Sequence, residues 1–362
     1  MLGVVAVKLS VSKYAYISAR VKGMKVSLLD QEGYRTLLGY SDLVGIYGFL
    51  KDTPYVEELG KVTPEALNAL SLERVFLMNL FKTFNKVVFK SPSDVASIII
   101  DYLKKFDVEN VKMALRALRA AVGGSEAMKY ILPVPSGIKP EIYGDLLTVA
   151  ENVEGLIRLM ERTEYGVILT ESLEEYLVKK SLMPVENALD VYVYRSLWAD
   201  IEKLGRRDRE IAGRLFGIET DVDNIRVVLR CKALGLKAEE AMGYIFPAFY
   251  ALNHEDIEKA LEASSVSGAM TPLMVQPYRD MLTKVLMDYE RTGSISAVDI
   301  EGDRLIASMN RHLLRIYPSP FHIGVVLSYL NLKWFEVKNL VALVYGKEDG
   351  LSPDVIEKSL IY

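Results

Sequence analysis

The apolar positions of this chain recur with the spacing of a helix along nearly its whole length. In LERVFLMNLFKTFNKVV (72–88), Leu72, Val75, Phe76, Leu80 and Phe84 fall at i, i+3, i+4, i+8 and i+12, one stripe of an α-helix. Stripes of the same kind run over 91–105, 108–121, 146–162, 188–204, 207–216, 224–235, 255–263, 273–290, 300–316, 321–332 and 336–346. Proline and glycine gather between them, as in ILPVPSGIKP (131–140) and YPSP (317–320). VVAVKLSV (4–11) and VYVY (191–194) have strand-like content, but both run directly into helical patterns. Strands do not alternate regularly with helices, which argues against a doubly wound sheet. The pattern predicts an all-α protein.

One short pattern returns three times. DVENVKMALR begins at Asp107, DVDNIRVVLR at Asp221 and EVKNLVALVY at Glu336. Each has an acid, two residues, an asparagine, a branched apolar residue and a further apolar residue four positions later. The asparagines are Asn110, Asn224 and Asn339, spaced 114 and 115 residues apart. Glu65 and Asn68 imitate the start of the pattern, but Ala69 and Glu73 occupy its apolar positions. A long amphipathic stretch lies 32 to 34 residues before each asparagine, around Phe76, Tyr192 and Ala307. These spacings predict three helical units in series, 1–130, 131–244 and 245–362. They are longer than ordinary solenoid modules and could form an arc or close about a pseudo-threefold axis.

The repeated residues read as structural. Asp107 and Asp221 fit the N-cap of a following helix, accepting from free backbone N–H groups. Asn110 and Asn224 then fall where a capping-box partner would reach back, and Glu336 with Asn339 forms a weaker version. Arg116 and Arg230 match each other six residues after the asparagine, where the third unit has Tyr345.

Composition narrows the class. Forty-four Lys and Arg against 48 Asp and Glu leave a net charge of −4, which argues against a nucleic-acid binder held by phosphate neutralisation. The single Cys231 excludes an intramolecular disulfide, fits a reducing compartment and reads as a small core hydrophobe. Residues 316–332 and 263–278 are uncharged, but prolines interrupt both, so neither reads as a membrane span. The opening MLGVVAV is short for a signal-peptide apolar region.

Catalytic motifs are missing from the sequence. Gly60-Lys61 and Gly346-Lys347 lack the Ser or Thr of a phosphate loop, and His254-Glu255 does not continue to a second zinc-binding His. Glu219, Asp221 and Asp223 resemble half a calcium loop without its central Gly or closing Glu, and read as a solvated cap. His312 and His322 read as ordinary surface or packed residues. Twenty-one tyrosines suit half-buried seams and protein contacts. The residues predict no catalytic site, no metal and no cofactor, and they favour a contact protein.

YAYISARVKGM (14–24), the LLGYSDL run and FLKDTPY (49–55) resemble the amino-terminal signature of the C subunit of A/V-type ATP synthases, a family that includes the d subunit of vacuolar ATPases. IETDVDNIRVVLRCKALGL (218–236) is similar to its middle signature, and PFHIGVVLSYLNLKWFEVKNLVALVYGKEDGL (320–351) to its carboxy-terminal one. Trp334-Phe335 departs from the further acid common there. The resemblance implies three similar helical subdomains about a pseudo-threefold axis, shaped as a funnel. It implies a non-catalytic central-stalk subunit, peripheral on the cytoplasmic face of the membrane and not itself spanning it. The implied partners are the proteolipid ring and the central-shaft subunits of D and F type, with torque passing between them. No nucleic acid, nucleotide or metal is implied. The alternative is a cytosolic all-α scaffold with an unrelated partner.

Overall fold

Helix Ala69–Val88 buries the stripe read from its sequence: Leu72, Phe76, Leu80 and Phe84 are fully buried and Val75 nearly so. The computed structural model describes residues 2–135 and 137–362, with side chains described from residue 11. Among the described residues there are 19 α-helices, two short 3-10 turns and no strand, so the fold is all-α. The two strand-like stretches lie inside helices Leu2–Lys25 and Met183–Glu202. In Met183–Glu202, Val185 and Val193 are buried, so tertiary packing overrides their weak local preference for strand.

The chain separates into two compact units. The smaller comprises Phe84–Phe89 and Ser93–Lys203. Its core includes Val108, Val111, Leu115, Tyr143, Leu156, Tyr165, Val185 and Leu189. Helices Ser93–Arg119 and Met183–Glu202 run antiparallel within it. Lys112 meets Asp190 at 2.5 Å and Arg116 meets Glu186 at 2.7 Å, so the pairing advances along one helix as it retreats along the other.

The larger unit comprises Met1–Thr83, Lys90–Pro92 and Leu204–Tyr362. Helices Arg206–Ala233 and Ala297–Ile316 pair in the same antiparallel way, Arg226 with Asp303 at 2.9 Å and Arg230 with Asp299 at 2.7 Å. Tyr345, standing where the others have Arg116 and Arg230, donates its hydroxyl to Glu73 at 2.7 Å. A tyrosine hydroxyl thus serves the position that a guanidinium serves elsewhere.

Several boundaries differ from the sequence reading. The stripes at 91–105 and 108–121 belong to one helix, Ser93–Arg119. Those at 207–216 and 224–235 belong to Arg206–Ala233, and those at 321–332 and 336–346 to Ile323–Glu348. Asp107, Asp221 and Lys333, between the paired stripes, are buried with hydrogen-bond partners, so no break is needed. Conversely, 146–162 splits into Pro140–Val149 and Val153–Leu159, because Asn152 accepts from Gly155 N at 2.9 Å and starts a new helix. Asp42 and Ser265 do the same for Gly45 and Gly268 at 3.0 Å each. The stripe at 273–290 begins only at Arg279, after Pro277.

The three long helices share one ending. Ala121, Gly235 and Gly350 have φ of 54°, 71° and 70°, and each sits eleven residues after its asparagine. The following amides, Val122, Leu236 and Leu351, donate back to Ala117, Cys231 and Gly346 at 2.9, 3.0 and 2.8 Å. This is the Schellman arrangement, which satisfies carbonyls that a helix end would leave open.

Candidate functional site: three buried carboxylate and asparagine centres

Asp107, Asn110, Asp221, Asn224, Glu336 and Asn339 do not cap helices. Each lies well inside a continuous helix of 27, 28 or 26 residues, and all six are buried. At those depths the helix has no free amides to cap, so the side chains bond to backbone elsewhere. The reading of Glu219, Asp221 and Asp223 as a solvated cap also fails, since Asp221 is completely buried.

The asparagines act as backbone clamps. Leu132 N donates to Asn110 Oδ1 at 2.7 Å while Asn110 Nδ2 donates to Leu132 O at 3.0 Å. Asn224 makes the same pair with Phe246, at 2.8 and 3.3 Å. Asn339 makes it with Ile361, at 2.7 and 2.9 Å. The clamped residue lies 22 positions after the asparagine in all three. An amide is the side chain for this task, because it offers one donor and one acceptor in the geometry of another peptide.

The aspartates gather donors from loops further along the chain. Asp221 accepts from the amides of Tyr250, Ala251 and Leu252 at 3.1, 2.7 and 3.0 Å, and from Tyr278 Oη at 2.6 Å. Asp107 accepts from Ile138 N at 3.3 Å, from Tyr165 Oη at 2.7 Å and from Tyr143 Oη at 3.4 Å. Gly137 is obligatory beside it: its φ is +84°, and a Cβ there would come within 2.0 Å of Asp107 Oδ2.

The third centre is completed from the other end of the chain. Glu336 Oε2 accepts from Leu29 N at 2.6 Å, and Oε1 accepts from Tyr55 Oη at 2.8 Å. Leu29 therefore takes the place of Ile138 and Leu252, and Tyr55 that of Tyr165 and Tyr278. This centre also holds a buried cation. Lys333 Nζ lies 2.6 Å from Glu336 Oε1, donates to Tyr55 Oη at 2.9 Å and sits 4.1 Å from the Tyr55 ring centroid.

Electrostatics follow from burial. Burial pushes the Asp107 carboxyl up to about 6, against the pull of Tyr165, Ile138 and Tyr143 as donors. Burial also raises Asp221 above the usual carboxylate range. The Tyr165 and Tyr278 hydroxyls are pushed up first by burial and then by the adjoining carboxylates, so they stay protonated donors. Burial and then the Glu336 charge do the same to Tyr55. The carboxylates and amides of these centres hold backbone of other segments, and Lys333 neutralises the third carboxylate.

Sequence reasoning misses the tyrosines as site residues, although their signal is present. Tyr55, Tyr165 and Tyr278 lie 110 and 113 residues apart, with Thr53 and Thr163 two residues before the first two. Cys231 is buried as expected, and burial pushes its thiol up to about 11. His322 is fully buried, with Nε2 3.1 Å from Tyr317 O. Among the described residues no group of three or more His, Cys, Asp or Glu is placed to hold a metal ion. No helix among them is long and apolar enough to cross a membrane.

An all-α chain with three buried centres of one design, each clamping backbone, defines a helical protein built on recurring structural motifs. The profile of the ATP synthase (C/AC39) subunit family matches residues 17–359. The chain is 30% identical over 353 residues to the A-type ATP synthase C subunit of Methanocaldococcus jannaschii, covering 98% of this chain and 87% of that protein. It is 26% identical to the C subunit of the Methanothermobacter thermautotrophicus A-type ATP synthase, over 96% of this chain and 87% of the relative. Against the corresponding Haloferax volcanii protein it is 26% identical, over 96% and 97%. The chain belongs to the ATP synthase (C/AC39) subunit family.

Proposed function

We propose that this protein is the C subunit of an A-type ATP synthase, a non-catalytic central-stalk piece that couples the rotor shaft to the membrane proteolipid ring. The observation that carries this reading is similarity along nearly the full chain to relatives bearing that name. The buried polar groups support it, because those of the three centres are engaged in holding loops and are shielded from any substrate. Torque transmission needs a body that resists twisting. Long helices, densely packed and clamped at their connections, supply such stiffness.

In this reading the chain comprises three similar units, 1–130, 131–244 and 245–362, set about a pseudo-threefold axis as a funnel. The recurrence of the clamps and of the helix endings supports that division. Its partners are the proteolipid ring and the D- and F-type shaft subunits, and it sits peripherally on the cytoplasmic face of the membrane. The test is a mild-detergent pull-down of the tagged protein from its native membranes, followed by mass spectrometry. Ring and shaft subunits should co-elute at stoichiometric levels. A tagged protein that leaves the ATPase behind overturns the reading in favour of a cytosolic helical scaffold.

A further inference from the structure

Helix Leu2–Lys25 contains no Asp or Glu, and helix Ala297–Ile316 contains none after Asp303. Both pack against Ile323–Glu348 within the larger unit. Ser18 Oγ donates to Pro320 O at 2.6 Å, which places the second half of the first helix beside the end of the second. Lys22, Lys25 and Arg315 are exposed there and Arg311 is half-buried. Lys22 and Lys25 share a helix face, as do Arg311 and Arg315.

None of these four cations pairs with a carboxylate among the described residues. Other cations of the same unit do: Arg226 with Asp303, Arg230 with Asp299, Arg304 with Glu301 and Lys333 with Glu336. Burial and then the Arg311 charge hold Lys25 below the usual ammonium range, and burial and then Arg315 do the same to Arg311. Lys25 and Arg311, and Arg311 and Arg315 one turn apart on their helix, therefore stand close enough to repel. They do so in a chain whose net charge is −4. Exposed Tyr16, Val26 and Ile316 lie on or beside the same two helices.

We propose that this face, formed by the second half of Leu2–Lys25 and the last two turns of Ala297–Ile316, docks an acidic protein segment. Incoming carboxylates would relieve the mutual repulsion of Lys25, Arg311 and Arg315, so binding gains both attraction and relief of strain between charges. An acidic side chain suits the half-buried Arg311 guanidinium, since a carboxylate can bond in the guanidinium plane. A bilayer surface suits it less. Among the described residues the three exposed apolar side chains are scattered and form no continuous stripe of the kind that inserts at a lipid interface. This assignment goes beyond ring and shaft coupling and does not depend on it.

The test uses the full chain, with a fluorescein-labelled oligoglutamate peptide as probe and fluorescence anisotropy as readout at low and near-physiological salt. R311E/R315E should weaken binding roughly tenfold, and the milder K25Q/R315Q should weaken it by a few fold, roughly. Both variants should keep the helical circular dichroism of the parent. R119E/R162E removes the same net charge from exposed sites of the smaller unit and should leave affinity within about twofold. Equal losses in R311E/R315E and R119E/R162E, or no peptide binding by the parent, would overturn the proposal. So would binding confined to phosphatidylglycerol-containing vesicles and abolished by R311E/R315E, which would make the face a lipid site.

Discussion

Replacing Ala121 by Gly should stabilise the protein, while replacing Gly235 or Gly350 by Ala should destabilise it. The three residues occupy one structural position, the left-handed residue after a long helix, with φ of 54°, 71° and 70°. The surrounding hydrogen bonds also match, from Ala120, Leu234 and Asp349 to carbonyls four residues back and from the next two residues to carbonyls three and five back. An L-residue pays about 1–2 kcal/mol for this conformation. Glycine loses roughly 0.5–1 kcal/mol more on ordering than alanine does. The difference favours glycine by about 0.5–1 kcal/mol at position 121 and disfavours alanine by the same amount at 235 and 350. A Cβ at Gly235 or Gly350 meets nothing within 4 Å, so the effect there is backbone strain alone. Trp198 lies in the smaller unit and Trp334 in the larger, so single-tryptophan variants report each unit in denaturant titrations. Ala121→Gly should raise the Trp198 midpoint, and the Gly→Ala variants should lower the Trp334 midpoint, all at unchanged m-value. A fall on Ala121→Gly, or no cost at either glycine, would refute the reasoning.

The other predictions concern the clamps. Asp107 has a folded-state value of about 6 against an ordinary 3.8, so the folded protein binds its proton more tightly than the unfolded chain. Stability from this group is therefore highest below the ordinary value and falls as pH rises to about 6. Relative to Asp107→Asn, the parent should gain about 3 kcal/mol in the Trp198 transition between pH 7 and the acid side of that window. A parallel pH dependence of the two proteins would contradict it. Asn339→Ala strands both polar groups of Ile361 and should cost about 2–4 kcal/mol; removing Ile361 and Tyr362 should cost a similar amount, and the two changes together should be far from additive in a double-mutant cycle. Lys333→Met leaves Glu336 buried beside Tyr55 without its cation and should cost about 3–5 kcal/mol, whereas Lys333→Met with Glu336→Gln, which removes the charge but keeps a polar partner for Leu29 N and Tyr55 Oη, should recover much of that in thermal unfolding.

Local periodicity determined the class of structure. The helices from Ala69 to Val88 and from Met183 to Glu202 follow from apolar stripes that need only neighbouring residues to be read. The three acid–asparagine pairs were also visible in the sequence, because spacing survives without coordinates, and the resemblance carried by 14–24, 218–236 and 320–351 led to the family. Their role was not visible. A polar pair interrupting an apolar stripe has the same local appearance at a helix boundary as in the middle of a buried helix. Tertiary structure alone distinguishes the two, because the partners lie far away: Leu132 and Phe246 are 22 residues from their asparagines, and Tyr55 is 281 residues from Glu336. The same limit hid the basic face, since Lys25 and Arg311 become neighbours only when their helices pack on Ile323–Glu348. Burial converts these residues from ordinary polar positions into clamps, since a buried carboxylate or amide must find partners wherever the chain brings them.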